Sequence, residues 1–181
     1  MTFPLRYEKE RQLGKGGGGE VWAVKDRLTN SVLALKVLGA AAAEAEVMAL
    51  VREATALSGL EGLGVPMVIA FGTLPDESHA RYLVRELVPG MSLQDALERK
   101  REGDTSASWL GPLLDAADQL TVLHRAGLLH GDVKPANIIV DLTGRGTLVD
   151  LGLAAPLTAR GTRARGLTPR FAAPELLAGE P

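Results

Sequence analysis

The stretch His130-Gly131-Asp132-Val133-Lys134-Pro135-Ala136-Asn137 gathers a carboxylate, an ammonium and an amide, and Asp150-Leu151-Gly152 adds a second carboxylate soon after. Transfer of a phosphoryl group asks for positioning and charge neutralisation more than for covalent chemistry. Asp132 can accept or orient the proton of an acceptor hydroxyl. Lys134, two residues on and facing the same way in an extended loop, can neutralise a moving γ-phosphoryl group. Asn137 and Asp150 offer the hard oxygens that ligate Mg²⁺. Plainer readings stand beside these: Asp132 and Asn137 also suit turn capping, and His130, which has no evident proton-transfer partner, reads as a packed core histidine.

Gly14, Gly16, Gly19 and Val21 give the spacing G-x-G-x-x-G-x-V. Glycine lets backbone amides approach phosphate oxygens, although glycine clusters are often plain turns. A dinucleotide loop requires a helix after the glycines, and the residues after Gly19 read as strand, so a hairpin lid over phosphates fits better. Lys36 lies inside the apolar run Leu33-Ala34-Leu35 and Val37-Leu38. Such a lysine can be an edge-strand residue with its ammonium in water, but the glycine loop supplies an anion for it to meet. A lysine in a partly buried cleft needs a counter-charge, and the following helix offers Glu46 and Glu53. Glu53 is the choice, being within the apolar stripe one turn before Leu57, whereas Glu46 reads as solvated.

The elements that must position these residues follow from periodicity. Short apolar runs at 20–24 and 32–38 predict strands joined by a turn over 26–31. Residues 40–57 change to helical spacing, with Val47, Leu50, Val51, Ala54 and Leu57 as one stripe. Strands are expected at 67–71 and 81–88, and then Pro89-Gly90 breaks the pattern before a helix at 92–100. Residues 109–126 predict a largely buried helix, with Leu110, Leu113, Leu114, Ala117, Leu120 and His124 on one face and Gly127 at its end. Two short strands, 138–140 and 147–149, flank a turn at 141–146. The division expected is 1–88 and 89–181.

The chain has 181 residues, 46% hydrophobic, with formal charge −2 and no cysteine. It is long enough for a substantial core, and its charge argues against nucleic acid or an anionic membrane as the main partner. Disulfides and thiolate metal sites are excluded, which fits a reducing cytoplasm. No apolar stretch predicts a signal peptide or a membrane span.

Taken together, Gly14 to Val21, Ala34-Leu35-Lys36, His130 to Asn137, Asp150-Leu151-Gly152 and Ala173-Pro174-Glu175 resemble the protein-kinase family, in that family's order, from about Tyr7 to Pro181. The resemblance implies an α+β fold of two lobes: a small antiparallel-sheet N-lobe with one helix, and a partial, mainly helical C-lobe. It implies Mg·ATP as phosphate donor and a protein Ser or Thr hydroxyl as acceptor. It also implies an adenine site in which the backbone of Glu86 to Val88 bonds the base edge while Val21, Ala34 and Ile139 close over its faces. Any of those three can equally be a core residue. Thr168 falls where Ser/Thr kinases place a threonine that touches the catalytic Asp and Lys.

Three departures qualify the match. Arg85 stands where the family guards the back of the adenine pocket with an apolar or small residue. Leu151 replaces a phenylalanine. Gly131 replaces the arginine that holds an activation-loop phosphate, which predicts a kinase not gated at Thr158 or Thr162. The same glycine brings in small-molecule kinases of the aminoglycoside or choline type as an alternative, and a nucleotide-binding regulatory module without catalysis is a third. The resemblance further predicts that family helices beyond residue 181 cover the leucine face of helix 109–126 and pair Glu175, so that residues 1–181 alone expose an apolar patch there and leave that carboxylate unpaired.

Overall fold

A computed structural model of the chain describes residues 2–16, 19–100, 109–157, 168–174 and 177. They form two compact units, Met1–Gly59 with Pro66–Leu87, and Leu60–Val65 with Val88–Pro181. Among the described residues no helix is long and apolar enough to cross a membrane.

In the first unit β1 (Tyr7–Gly16), β2 (Gly19–Asp26), β3 (Val32–Val37), β4 (Val68–Thr73) and β5 (Arg81–Glu86) make an antiparallel sheet in the order β1-β2-β3-β5-β4. One helix, α1 (Glu44–Gly59), packs against β4 and β5. Side chains alternate along a strand, so register sorts the sheet into two faces. Val24, Leu33, Leu35, Val37 and Val84 join Phe3, Tyr7, Leu74 and Ala80 in one buried cluster. The residues between them, Val21, Ala23, Ala34, Lys36, Leu83 and Arg85, share the opposite face. The β2–β3 turn is tied by Asp26, which takes the forked guanidinium of Arg6 at 2.9 and 2.6 Å and the Leu28 N–H at 3.0 Å. The Arg6 hydrogen bonds, chiefly, hold the Asp26 carboxyl well below the usual carboxylate range.

Helix α1 departs from the expected stripe. Its buried residues are Leu50, Glu53, Ala56 and Leu57, while Val47, Val51 and Ala54 are half-buried. A count of apolar residues cannot see that a cationic partner draws a glutamate inward, and this rotates the buried face by about one residue. The helix also starts at Glu44 rather than 40, and Glu46 is not simply solvated: its carboxylate accepts the Ala43 N–H at 2.8 Å, satisfying a free donor at the helix start.

The second unit holds β6 (Met91–Ser92), α2 (Leu93–Lys100), α3 (Leu110–Arg125), β7 (Leu128–Leu129), β8 (Ile138–Val140), β9 (Gly146–Leu148) and β10 (Ala155–Pro156). Its sheets are β6-β8-β9 and β10-β7. Ser92 caps α2 by accepting the Asp95 N–H at 3.0 Å. Gly127, at φ 76°, supplies the left-handed residue after α3.

The burial that periodicity predicts for α3 is overturned, and its leucines are exposed as the resemblance predicts for residues 1–181. Leu110, Leu113 and Leu114 are exposed, as are Ala117 and His124, and the buried residues are Pro112, Ala116 and Leu123. The reason is polar. Strand β9 lies at a sheet edge with unpaired backbone groups. The Asp115 carboxylate accepts the Gly146 N–H at 2.8 Å, and the Gln119 amide accepts from Leu148 N–H at 2.8 Å and donates to Gly146 O at 3.0 Å. That requirement turns Asp115 and Gln119, not the leucines, toward β9. Gly146 completes the contact, since a Cβ there would lie 2.3 Å from Pro112 O.

Candidate active site

The glycine loop is the tip of the β1–β2 hairpin, where Gly16 pairs with Gly19 and Gly14 with Val21. The three glycines have different reasons to be glycine. Gly19 sits at φ 101°, and a Cβ there would meet Val37 O at 2.3 Å, so the fold itself demands it. Gly14 and Gly16 have neither a positive φ nor any atom within 4 Å of the place a Cβ would occupy. The chain leaves that space open.

Lys36 on β3 reaches Glu53 on α1, with Nζ 2.7 Å from Oε2 and side-chain exposures of 15% and 1%. Glu53 has a second cationic neighbour, Arg85 Nε, at 3.7 Å from Oε1. That oxygen is buried and accepts no hydrogen bond. The Arg85 contact was not foreseen from sequence, although a charge on the inward face of a strand, in Leu83-Val84-Arg85, is the signal that could have found it. Val21 and Ala34 share this face, as cross-strand partners of Lys36 and of Arg85 respectively. The Glu86 N–H donates to Met67 O at 2.9 Å, so a base-edge bond at Glu86 falls to its carbonyl.

In the second unit Asp132, Lys134, Asn137 and Thr168 converge. Lys134 Nζ lies 2.6 Å from Asp132 Oδ2 and 2.9 Å from Thr168 Oγ1, and the Thr168 hydroxyl donates to Asp132 Oδ1 at 2.9 Å. Asn137 Nδ2 donates to Asp132 O at 2.8 Å and to Oδ2 at 3.2 Å. The single turn Pro135–Asn137 brings Asn137 back toward Asp132, its N–H bonding Lys134 O at 2.9 Å. Backbone N–H of Val149 bonds Asn137 O at 2.8 Å, so Asn137 and Asp150 stand at the open end of the β8–β9 hairpin. Ile139 lies half-buried on β8, and Val88 is half-buried outside any strand.

His130 is 2% exposed beneath this cluster. Its Nδ1 accepts the Asp132 N–H at 3.3 Å and its Nε2 faces Val149 O at 3.2 Å, which makes it the Nε2–H tautomer. Burial pushes its pKa below the ordinary imidazole value, outweighing the Val149 contact. It is a neutral strut. Leu151 is also buried, at 3%.

Among the described residues no three His, Cys, Asp or Glu side chains gather to hold a metal alone. Asn137 and Asp150 instead provide one amide and one carboxylate oxygen, a sparse hard set of the kind Mg²⁺ completes with water and phosphate. Asn137 commits its Nδ2 to Asp132, which leaves Oδ1 as its ligand atom. Asp150 adopts φ 68°, a left-handed conformation that aspartate tolerates and that clusters at functional sites. Thr158, Thr162 and Glu175 lie outside the described residues.

The family described as protein kinase domain matches residues 7–181. The chain is 34% identical to the serine/threonine-protein kinase PkaB of Streptomyces coelicolor, over 97% of this chain and 44% of that protein. It is 33% identical to the serine/threonine-protein kinase PknA of Mycobacterium tuberculosis, over 99% of this chain and 43% of that protein. A probable serine/threonine-protein kinase of Clostridium perfringens is 32% identical over 82% of this chain and 22% of its own length. The chain thus spans less than half the length of these relatives.

Proposed function

The chain belongs to the protein kinase domain family, and on that premise we propose that it transfers the γ-phosphoryl group of Mg·ATP to serine and threonine hydroxyls of a protein substrate. The observation that carries this reading is the closed circuit of hydrogen bonds among Asp132, Lys134 and Thr168. Asp132 orients the acceptor hydroxyl and takes its proton. Lys134 neutralises charge on the moving phosphoryl group, and Thr168 fixes both. Asn137 and Asp150 would hold Mg²⁺, which when bound would supply charge neutralisation at the phosphates.

In the first unit, Lys36 engages phosphate oxygens and Gly14 and Gly16 leave room for them at the hairpin tip. Val21 and Ala34 present an apolar face to the base. The Glu86 carbonyl bonds the base edge. The test is incubation with ATP and Mg²⁺ followed by mass spectrometry of the chain itself, a generic protein and small acceptors. Phosphoserine and phosphothreonine are expected. Phosphotyrosine as the main product rejects the substrate class, and phosphate on small acceptors alone rejects the protein-kinase assignment.

A further inference from the structure

We propose that Glu20 is a positioning residue for the phosphates of the nucleotide: its carboxylate joins the tip of the β1–β2 hairpin to an aromatic brace on the sheet face opposite Lys36, and so holds Gly14 and Gly16 in place. The inference rests on the kinase reading above and extends it to a residue that does not touch the nucleotide.

The argument begins with register. Both register shifts of the hairpin fall in β1, between Lys9 and Arg11 and between Gln12 and Gly14, whereas β2 runs on unbroken. Glu20, Trp22 and Val24 therefore share one face, and Val21 and Ala23 the other. Val21 pairs with Lys36, which assigns the second face to the nucleotide. Val24 belongs to the buried cluster and Trp22 packs against it, which puts Glu20 on the far side. Glu20 is also the last β2 residue that pairs with β3, opposite Val37. Beyond it the hairpin is two strands alone, and such a ribbon is marginal without further support. The two irregularities in β1 add local twist, so the direction of the tip has to be fixed from elsewhere.

The Glu20 carboxylate supplies that support by forking. Its Oε1 takes Lys15 Nζ at 3.0 Å, and Lys15 lies between Gly14 and Gly16. Its Oε2 accepts the Trp22 Nε1–H at 3.0 Å. The hydrogen bond from Lys15 first, then that from Trp22, lowers the carboxyl below its ordinary pKa. Lys15 is 72% exposed, so the ion pair alone contributes little, and the indole arm gives the carboxylate its direction. The indole is fixed in turn. Phe3, 9% exposed, meets it edge-on with centroids 6.3 Å apart at 76°. Lys9 Nζ stands 3.9 Å from the Trp22 ring and 4.7 Å from that of Phe3. A path of contacts thus runs from the buried cluster through Phe3, Trp22 and Glu20 to Lys15 at the tip. It holds the Lys15 ammonium on the face away from Lys36, and the places beside Gly14 and Gly16 stay open for phosphate oxygens. A tip fixed before binding loses less freedom when phosphate arrives.

The experiment compares the full chain with Glu20→Ala, Glu20→Gln and Trp22→Phe, using titration calorimetry with Mg·ATP and with adenosine, beside steady-state kinetics. Gln keeps an acceptor for the indole and drops the charge that holds Lys15, whereas Phe keeps a ring against Phe3 and Lys9 and drops the N–H. Mg·ATP binding should weaken about tenfold in Glu20→Ala and about threefold in each of the other two, as expected for a hydrogen bond to a charged group and an exposed ion pair. Adenosine, which carries no phosphate to meet the tip, should bind all four chains alike. KM for ATP should rise while kcat stays close to the parent value. If Glu20→Ala does not fold, Glu20→Gln and Trp22→Phe make the same comparison. Equal loss for both ligands shows damage to the whole sheet and overturns the proposal, as does unchanged or tighter Mg·ATP binding in the variants. A folded parent chain that binds neither ligand rejects the kinase reading itself, and this proposal with it.

Discussion

The Thr168 hydroxyl donates to Asp132 Oδ1 at 2.9 Å across a sequence separation of 36 residues, and its oxygen also accepts Lys134 Nζ. One small hydroxyl thereby sets the direction of a carboxylate and an ammonium together. Both charged groups of the loop 132–134 are thereby tied to one residue of a distant segment.

Replacing Thr168 with alanine should therefore lower kcat about tenfold, the loss expected for a hydrogen bond to a charged group, with KM for ATP little changed. Thr168→Ser should retain most of the rate. Steady-state kinetics check this, and an alanine variant with full kcat refutes the positioning role.

Asp132→Asn should remove most turnover, about 10²–10⁴-fold, while Mg·ATP affinity stays close to the parent value. A loss below about threefold rejects Asp132 as the base or orienting group. Single-turnover measurement separates the chemical step from binding.

The glycine loop makes a contrast within one hairpin. Gly14→Ala and Gly16→Ala meet open space and should keep or slightly raise thermal stability while weakening Mg·ATP binding. Gly19→Ala forces a Cβ onto Val37 O and should cost stability outright, roughly 1–3 kcal/mol. Thermal melts beside nucleotide titrations show whether the two effects separate.

His130 gives the fold an acid-sensitive arm. Its folded pKa lies below the ordinary 6.5, so the unfolded chain binds a proton that the folded chain refuses. The stabilisation is complete above that value and declines as pH falls below it, by up to about 1.4 kcal/mol per pH unit, until the folded value is reached. Urea midpoints measured between about pH 7.5 and 5.5 should fall, and His130→Gln should flatten that fall.

Gly131 occupies φ 82°, and a Cβ there would lie 2.3 Å from Leu153 O. On this backbone an arginine would be strained and would crowd Leu153 O whatever its charge. Gly131→Ala should already cost about 1–3 kcal/mol in denaturant melts, and Gly131→Arg no less. An alanine variant as stable as the parent refutes this account.

Much of the site was legible because its chemistry is local in sequence: Asp132, Lys134 and Asn137 lie within one turn of chain, and Lys36 stands out in an apolar strand. The strands were legible for the same reason, since a short apolar run between turn formers is a short-range signal. What sequence could not show was polar demand across distance. Asp115 and Gln119 face β9 because an edge strand needs partners, and Arg85 stands beside Glu53 as a second cation, although the Lys36–Glu53 pair itself was read from sequence. Periodicity weighs apolar residues only, so it misassigned the buried side of α3 and shifted that of α1.

The β8–β9 hairpin has one further consequence. Its base is held by the Val149–Asn137 hydrogen bond and by Gln119 on Leu148, Asp115 and Gln119 also grip Gly146 where the strands end, and the tip turn at 141–145 lies beyond. Chain length at the tip is thereby uncoupled from the spacing of Asn137 and Asp150. The hairpin can gain or lose residues at its far end, over evolutionary time or by engineering, and the two oxygens at its root keep their separation.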